Sequence, residues 1–193
     1  MKVMSLLICS TLCLLLTVFS YANDQILITQ KTAEIESCLE NCYHIDRDSA
    51  RTIIPRFYPL LNSVEHHSVL DDFIRCSMEL TFCFENPSPS KLLPNDAVII
   101  ASDWHEVLFE SPHLRVLYGS SKPGDFEPFH THQWKHLMLI LTEARFKMES
   151  ANGIIEIDTF PVGFYDLPAE NTPMAYTNIG TTEFRTLIFE IKN

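Results

Sequence analysis

Three histidines, His130, His132 and His136, sit close together in the run Gly124-Asp-Phe-Glu-Pro-Phe-His-Thr-His-Gln-Trp-Lys-His136. In a regular β-strand alternate side chains share a face, so these even-numbered rings converge. Neutral imidazole ligates zinc, copper, iron and nickel, and three on one face leave a position for water or a substrate. The expected cofactor is a divalent transition metal: iron, manganese, zinc, nickel or copper. Glu127 stands near enough in sequence to act as a base, and Trp134 shares the nominal face of the histidines. Tyr165 and Tyr176 are further pocket candidates, each able to donate a hydrogen bond from an otherwise apolar ring.

The spacing also resembles a family. Gly124, then His130-x-His132, then position 136 is similar to the first motif of the cupin superfamily, where two histidines and a glutamate bind metal inside a small β-barrel. His136 stands at the glutamate position. Pro161-Val-Gly163-Phe-Tyr-Asp-Leu-Pro168-Ala169 with Asn178-Ile-Gly180 resembles the second motif, and Met174 occupies the place of its histidine. The likeness runs from about Asp103 to Lys192, with Trp104-His-Glu-Val-Leu-Phe-Glu similar to the opening strand of small single-domain cupins. It implies an α+β chain whose C-terminal half is a cupin-like antiparallel β-barrel, a double-stranded β-helix. It implies a metal set of His130, His132, His136 and Met174, the thioether favouring copper(I). It also implies a homodimer and oxygenase- or isomerase-type chemistry on a small molecule.

Short β-like runs supply the elements that must position these groups: 97–101, 106–109, 114–118, 137–141, 145–148, 154–157, 164–167 and 184–191. Asn152-Gly153 marks a tight hairpin, because both residues tolerate positive φ. Many short strands joined by such turns indicate a sandwich or barrel over residues 96–193. His105 and His113 fall either near the pocket mouth or on the surface.

Before the barrel, closely spaced prolines around Asn86–Pro94 mark a linker, 87–95, because they resist both helix and central strand. Residues 23–86 read as a helical segment. Ile28, Ile35, Leu39 and Cys42 recur at helical spacing. Asp48 or Ser49 begins a second helix, interrupted by Pro55 and Pro59, and Ser68 caps a third over 69–84. His66-His67, just before that cap, reads as a solvated loop.

Residues 1–22 have the form of a secretory signal: a basic start, an uncharged apolar run and small residues at Ser20 and Ala22. The expected location is therefore exported, periplasmic or secreted. The remaining cysteines, Cys38, Cys42, Cys76 and Cys83, are even in number and suit disulfides in an oxidising compartment; Cys38 with Cys83 and Cys42 with Cys76 is one arrangement for antiparallel helices. A net charge of -11, from 25 acidic against 14 basic residues, argues against nucleic acid and anionic membrane as partners after signal cleavage. Three functional classes follow: a metalloenzyme on a small molecule, a non-catalytic small-ligand or copper-binding protein, and a partner-binding module built on the helical half.

Overall fold

The computed structural model describes residues 24–80, 91–170 and 172–192. The expected leader, Cys83 and the side chain of Cys76 lie outside the described residues, and the disulfide pairing with them. Among the described residues no helix is long and apolar enough to cross a membrane.

Helix α1 (24–42) buries Ile35, Cys38, Leu39 and Cys42, the single face that an i, i+3, i+4, i+7 pattern demands. Helix α2 (Arg47–Ile53) is capped two residues earlier than expected: the Asp46 carboxylate accepts the backbone N–H groups of Asp48 and Ser49 at 3.1 and 2.9 Å. Pro55 then opens a 3-10 turn (Ile54–Phe57) and Pro59 falls in the first turn of α3 (Tyr58–Leu61). Both prolines stand where a missing N–H is harmless. Helix α4 (His67–Leu80) starts at His67. This corrects the solvated-loop reading of the histidine pair, because His67 is buried with Nε2 3.0 Å from the Leu61 carbonyl.

The run 97–101 is a helix rather than a strand. Asp96 caps α5 (Ala97–Ile100) by accepting the Val98 N–H at 3.1 Å, and this local hydrogen bond overrides the β preference of Val98, Ile99 and Ile100.

Nine strands follow: β1 (His105–Glu110), β2 (Leu114–Ser121), β3 (Phe126–His130), β4 (Lys135–Thr142), β5 (Ala144–Ser150), β6 (Ile155–Phe160), β7 (Gly163–Leu167), β8 (Met174–Asn178) and β9 (Phe184–Ile191). They form two sheets, β1-β2-β9-β4-β7 and β3-β8-β5-β6, with every neighbouring pair antiparallel. Eight of them, β2 to β9, interleave as a jelly roll, which is the double-stranded β-helix of the expected α+β fold. Gly153, at φ +80°, turns the β5–β6 hairpin where Asn152-Gly153 announced it.

Alternation along the five-stranded sheet explains where the two cores lie. Leu137, Leu139 and Leu141 of β4 and Leu187, Phe189 and Ile191 of β9 face the helices. His136 and Met138, with Thr186 and Ile188, face the barrel interior. Tyr43 of the α1–α2 connection and Phe73 of α4 stack on Phe189, with ring centroids 4.9 and 5.2 Å apart, and Phe73 meets Phe164 at 5.9 Å. The helical layer therefore has no core of its own and completes that of the sheet. We expect Phe73→Ala to lower stability by about 3–5 kcal/mol, read as a fall in the urea midpoint. A loss below about 1 kcal/mol would show that the layer contributes little to that core.

The other sheet is covered on one side. Its edge strand β6 leaves Ile155 and Ile157 more than half exposed, at 56% and 55%.

Candidate metal centre

Glu127 and His130 lie on β3, His132 on the loop that follows, and His136 on β4. The strand does not run unbroken through the three histidines: it ends at His130 and resumes at Lys135. The rings still gather, because the loop folds back over the barrel mouth. His130 and His132 have ring centroids 5.6 Å apart, and His132 and His136 4.9 Å.

A fourth imidazole joins them. His105, the first residue of β1, lies 5.0 Å from His130 and 5.2 Å from His132 by ring centroids. His105, His130 and His132 each bring a ring nitrogen within 4.8 Å of the others, all three buried. His136, also buried, lines the same cavity beside His132. The sequence left His105 undecided because the register of β1 decides which way it points. The cue available was its place at the head of an opening strand.

The segment before β1 holds this arrangement in place. Thr131 donates its N–H to the Asn95 carbonyl at 2.9 Å, Ala97 donates to the Thr131 carbonyl at 3.0 Å, and Gln133 accepts the Leu93 N–H at 2.7 Å. Residues 91–95, expected to end a linker, are thus bound against the histidine loop. α5 then presents the Ala101 carbonyl to His105.

Every one of the four rings is oriented through Nδ1. That atom meets the carbonyl of Ala101 for His105 (3.1 Å), of Pro128 for His130 (2.8 Å) and of Trp134 for His136 (3.0 Å), and the Glu190 carboxylate for His132 (2.8 Å). In the neutral ring an acceptor opposite Nδ1 requires the proton there, which leaves the Nε2 lone pair for a ligand bond at His105, His130 and His136, and at His132 once the ring gives up its second proton. Burial lowers the pKa of His105, His130 and His136, favouring the neutral form that binds metal.

His132 differs. Burial pulls its pKa down, but the hydrogen bond and charge of Glu190 outweigh this and raise it. Burial likewise opposes ionisation of Glu190, yet His132 and Arg115 bring its carboxyl down to about 2. Arg115 is paired in turn with Glu190 and, at 3.0 Å, with Asp96, all three side chains being almost completely buried. A charged chain Asp96–Arg115–Glu190–His132 therefore runs from the α5 cap to the centre, the kind of outer support that fixes and strengthens a histidine ligand.

The remaining candidates divide. Glu127 lines the cavity, and burial pushes its carboxyl up to about 7. Tyr176 lines it too, its ring 5.6 Å from His130; burial and the Glu170 and Glu127 carboxylates raise its pKa. Glu170, not singled out from the sequence, accepts the His132 N–H at 2.9 Å and reaches the same wall. Trp134 is not among the cavity-lining residues: the Arg115 guanidinium and the Lys192 ammonium lie over its ring at 4.8 and 5.0 Å. Tyr165 donates its hydroxyl to the Pro161 carbonyl at 3.2 Å outside the cavity. Met174 pairs with His130 in the β3–β8 register yet is not among the cavity-lining residues. The donor set accordingly fits a transition metal on imidazole nitrogen, with His105 in the group and the methionine outside it.

No family model matches the chain, and no curated protein does. Among solved structures, a cupin domain from Bordetella pertussis is 20% identical, covering 46% of this chain and 92% of that one at a TM-score of 0.42. An RmlC-like cupin family protein with a double-stranded beta-helix fold from Methanocaldococcus jannaschii is 16% identical over 46% and 78%, TM-score 0.38. An oxalate decarboxylase from Bacillus subtilis is 19% identical over 46% and 24%, TM-score 0.34. The assignment of the fold rests on the strand order and register described above.

Proposed function

We propose that this protein is an exported metalloenzyme that acts on a small molecule, with a divalent transition metal seated on His105, His130 and His132 and with His136 beside them. The observation that carries this reading is the uniform orientation of four buried imidazoles, every Nδ1 anchored and every Nε2 left for a ligand. Binding alone would not require what lies beside them. Glu127 presents a carboxyl whose pKa of about 7 suits it to take or give a proton near neutrality. The Tyr176 hydroxyl stays protonated well above neutrality, so it is a hydrogen-bond donor for a substrate oxygen. Phe146 and Phe184 close the opposite wall and limit water around the reacting groups. A bound metal would supply Lewis acidity toward a substrate oxygen or a water molecule.

The partner-module reading draws less support, because the apolar faces of the helices are taken up by the barrel. Purification of the untagged mature chain from an oxidising compartment, with elemental analysis, tests the proposal. Near-stoichiometric metal is expected in the wild type and little in the His130→Ala/His132→Ala double variant. A folded wild type that takes up none of the five metals on reconstitution would overturn the metal reading.

A further inference from the structure

The cavity constrains what can enter it. Its volume is about 110 Å³, somewhat less than the ~150 Å³ that accommodates benzene. The wall has two unlike halves. The histidines, Glu127, Glu170 and Tyr176 make one, with Leu167 opposite His136 in the β4–β7 register; Met138, Phe146, Phe160, Phe184 and Ile188 make the other. Phe146 packs edge-on against Phe184 at 5.0 Å and against Phe160 at 5.9 Å, so the apolar half is already assembled.

No lysine or arginine among the described residues lines this space. Arg115, the basic side chain that leads to the centre, is committed to Asp96, Glu190 and the Trp134 ring. Beyond the histidines and the metal they would hold, a phosphate or a second carboxylate would therefore lie in a desolvated site beside Glu127 and Glu170 with no lysine or arginine to balance it, which is unfavourable for a buried anion.

We infer that the substrate is a compact two-ended molecule of roughly four to five non-hydrogen atoms, carrying at most one negative charge, with an oxygen-bearing end toward the histidines and an apolar end against Phe146, Phe160 and Phe184. The orientation of the polar end rests on the metal reading above; the size and charge limits rest on the wall alone.

Calorimetric titration of the zinc-loaded and the metal-free protein with tert-butanol, propionate, oxalate and inorganic phosphate tests this. Tert-butanol and propionate are expected to bind at least tenfold more tightly than oxalate and phosphate to the zinc-loaded protein, and tert-butanol to keep its advantage in the metal-free one. Phe160→Lys, at an edge strand where the ammonium can reach solvent, is expected to weaken tert-butanol about tenfold while leaving zinc content unchanged. Oxalate or phosphate binding as tightly as tert-butanol, or failure of both apolar probes in both forms, overturns the inference. Tert-butanol binding to a folded protein that cannot be loaded with zinc would sink the metal reading and leave the size and charge limits standing.

Discussion

His105→Ala is expected to strip the protein of metal as thoroughly as His132→Ala, lowering zinc affinity by more than about 100-fold, beyond the 10–100-fold typical of losing an outer-shell partner. The reason is positional. His105, His130 and His132 hold the three nitrogens that approach within 4.8 Å of one another, and His105 is fixed by the Ala101 carbonyl. Met174→Ala, by contrast, is expected to leave affinity within a factor of about three, the scatter of a surface-type change. Competition with a chromophoric chelator measures both. If Met174→Ala loses metal while His105→Ala holds it, the motif spacing is the better guide and the assignment of His105 is wrong.

The second large effect is expected at Glu190. Glu190→Gln preserves shape but removes the charge between His132 and Arg115. Metal affinity should fall by about 10–100-fold as His132 loses its anionic support. Stability should fall as well, by about 3–5 kcal/mol, because Arg115 stays buried with Asp96 as its one remaining ionic partner. The pH dependence separates this from a packing defect. The Glu190 carboxyl is depressed from an ordinary 4.5 to about 2 in the folded protein. Its contribution is thus present above the unfolded-state pKa and is lost as pH falls through about 2. Urea midpoints of wild type and Glu190→Gln, measured on the metal-free proteins, should differ fully above about pH 5 and converge in acid. A gap that stays constant with pH would mean that the charge is not responsible.

The legible part of this molecule was the part written in local pattern. Asn152-Gly153 announced its hairpin because φ above zero is a property of the residues at the turn. His130, His132 and His136 stood out because three imidazoles fall within seven residues, and all three line one cavity. The apolar runs 137–141 and 184–191 marked the strands that became β4 and β9, although nothing in them revealed that helices would cover one of their faces. What escaped was decided at a distance. Val98, Ile99 and Ile100 have strand preferences, but Asp96 caps them into a helix that is itself docked on Thr131. The strand drawn through the three histidines stops at His130 and tolerates Pro128 because it is an edge strand, while β8 was hidden by the modest hydrophobicity of Met-Ala-Tyr-Thr-Asn. Arg115 and Glu190 sit in the runs 114–118 and 184–191 with no local mark of burial; alternation turns both inward, and their pairing makes that burial sustainable.

The exposed strand β6 has a consequence for how the molecule behaves in a crowd. Among the described residues no strand neighbours its backbone hydrogen-bonding groups on one side, and Ile154, Ile155 and Ile157 stand out at 59%, 56% and 55% exposure. A free edge of this composition is a template on which a second chain can add. Glu156 and Asp158 interrupt it, and two copies meeting edge to edge would bring like charges together along the new seam. The surplus acidity of the chain here acts as protection against self-association. Concentrated protein should remain dispersed at neutral pH for that reason and lose the safeguard as the carboxylates are neutralised.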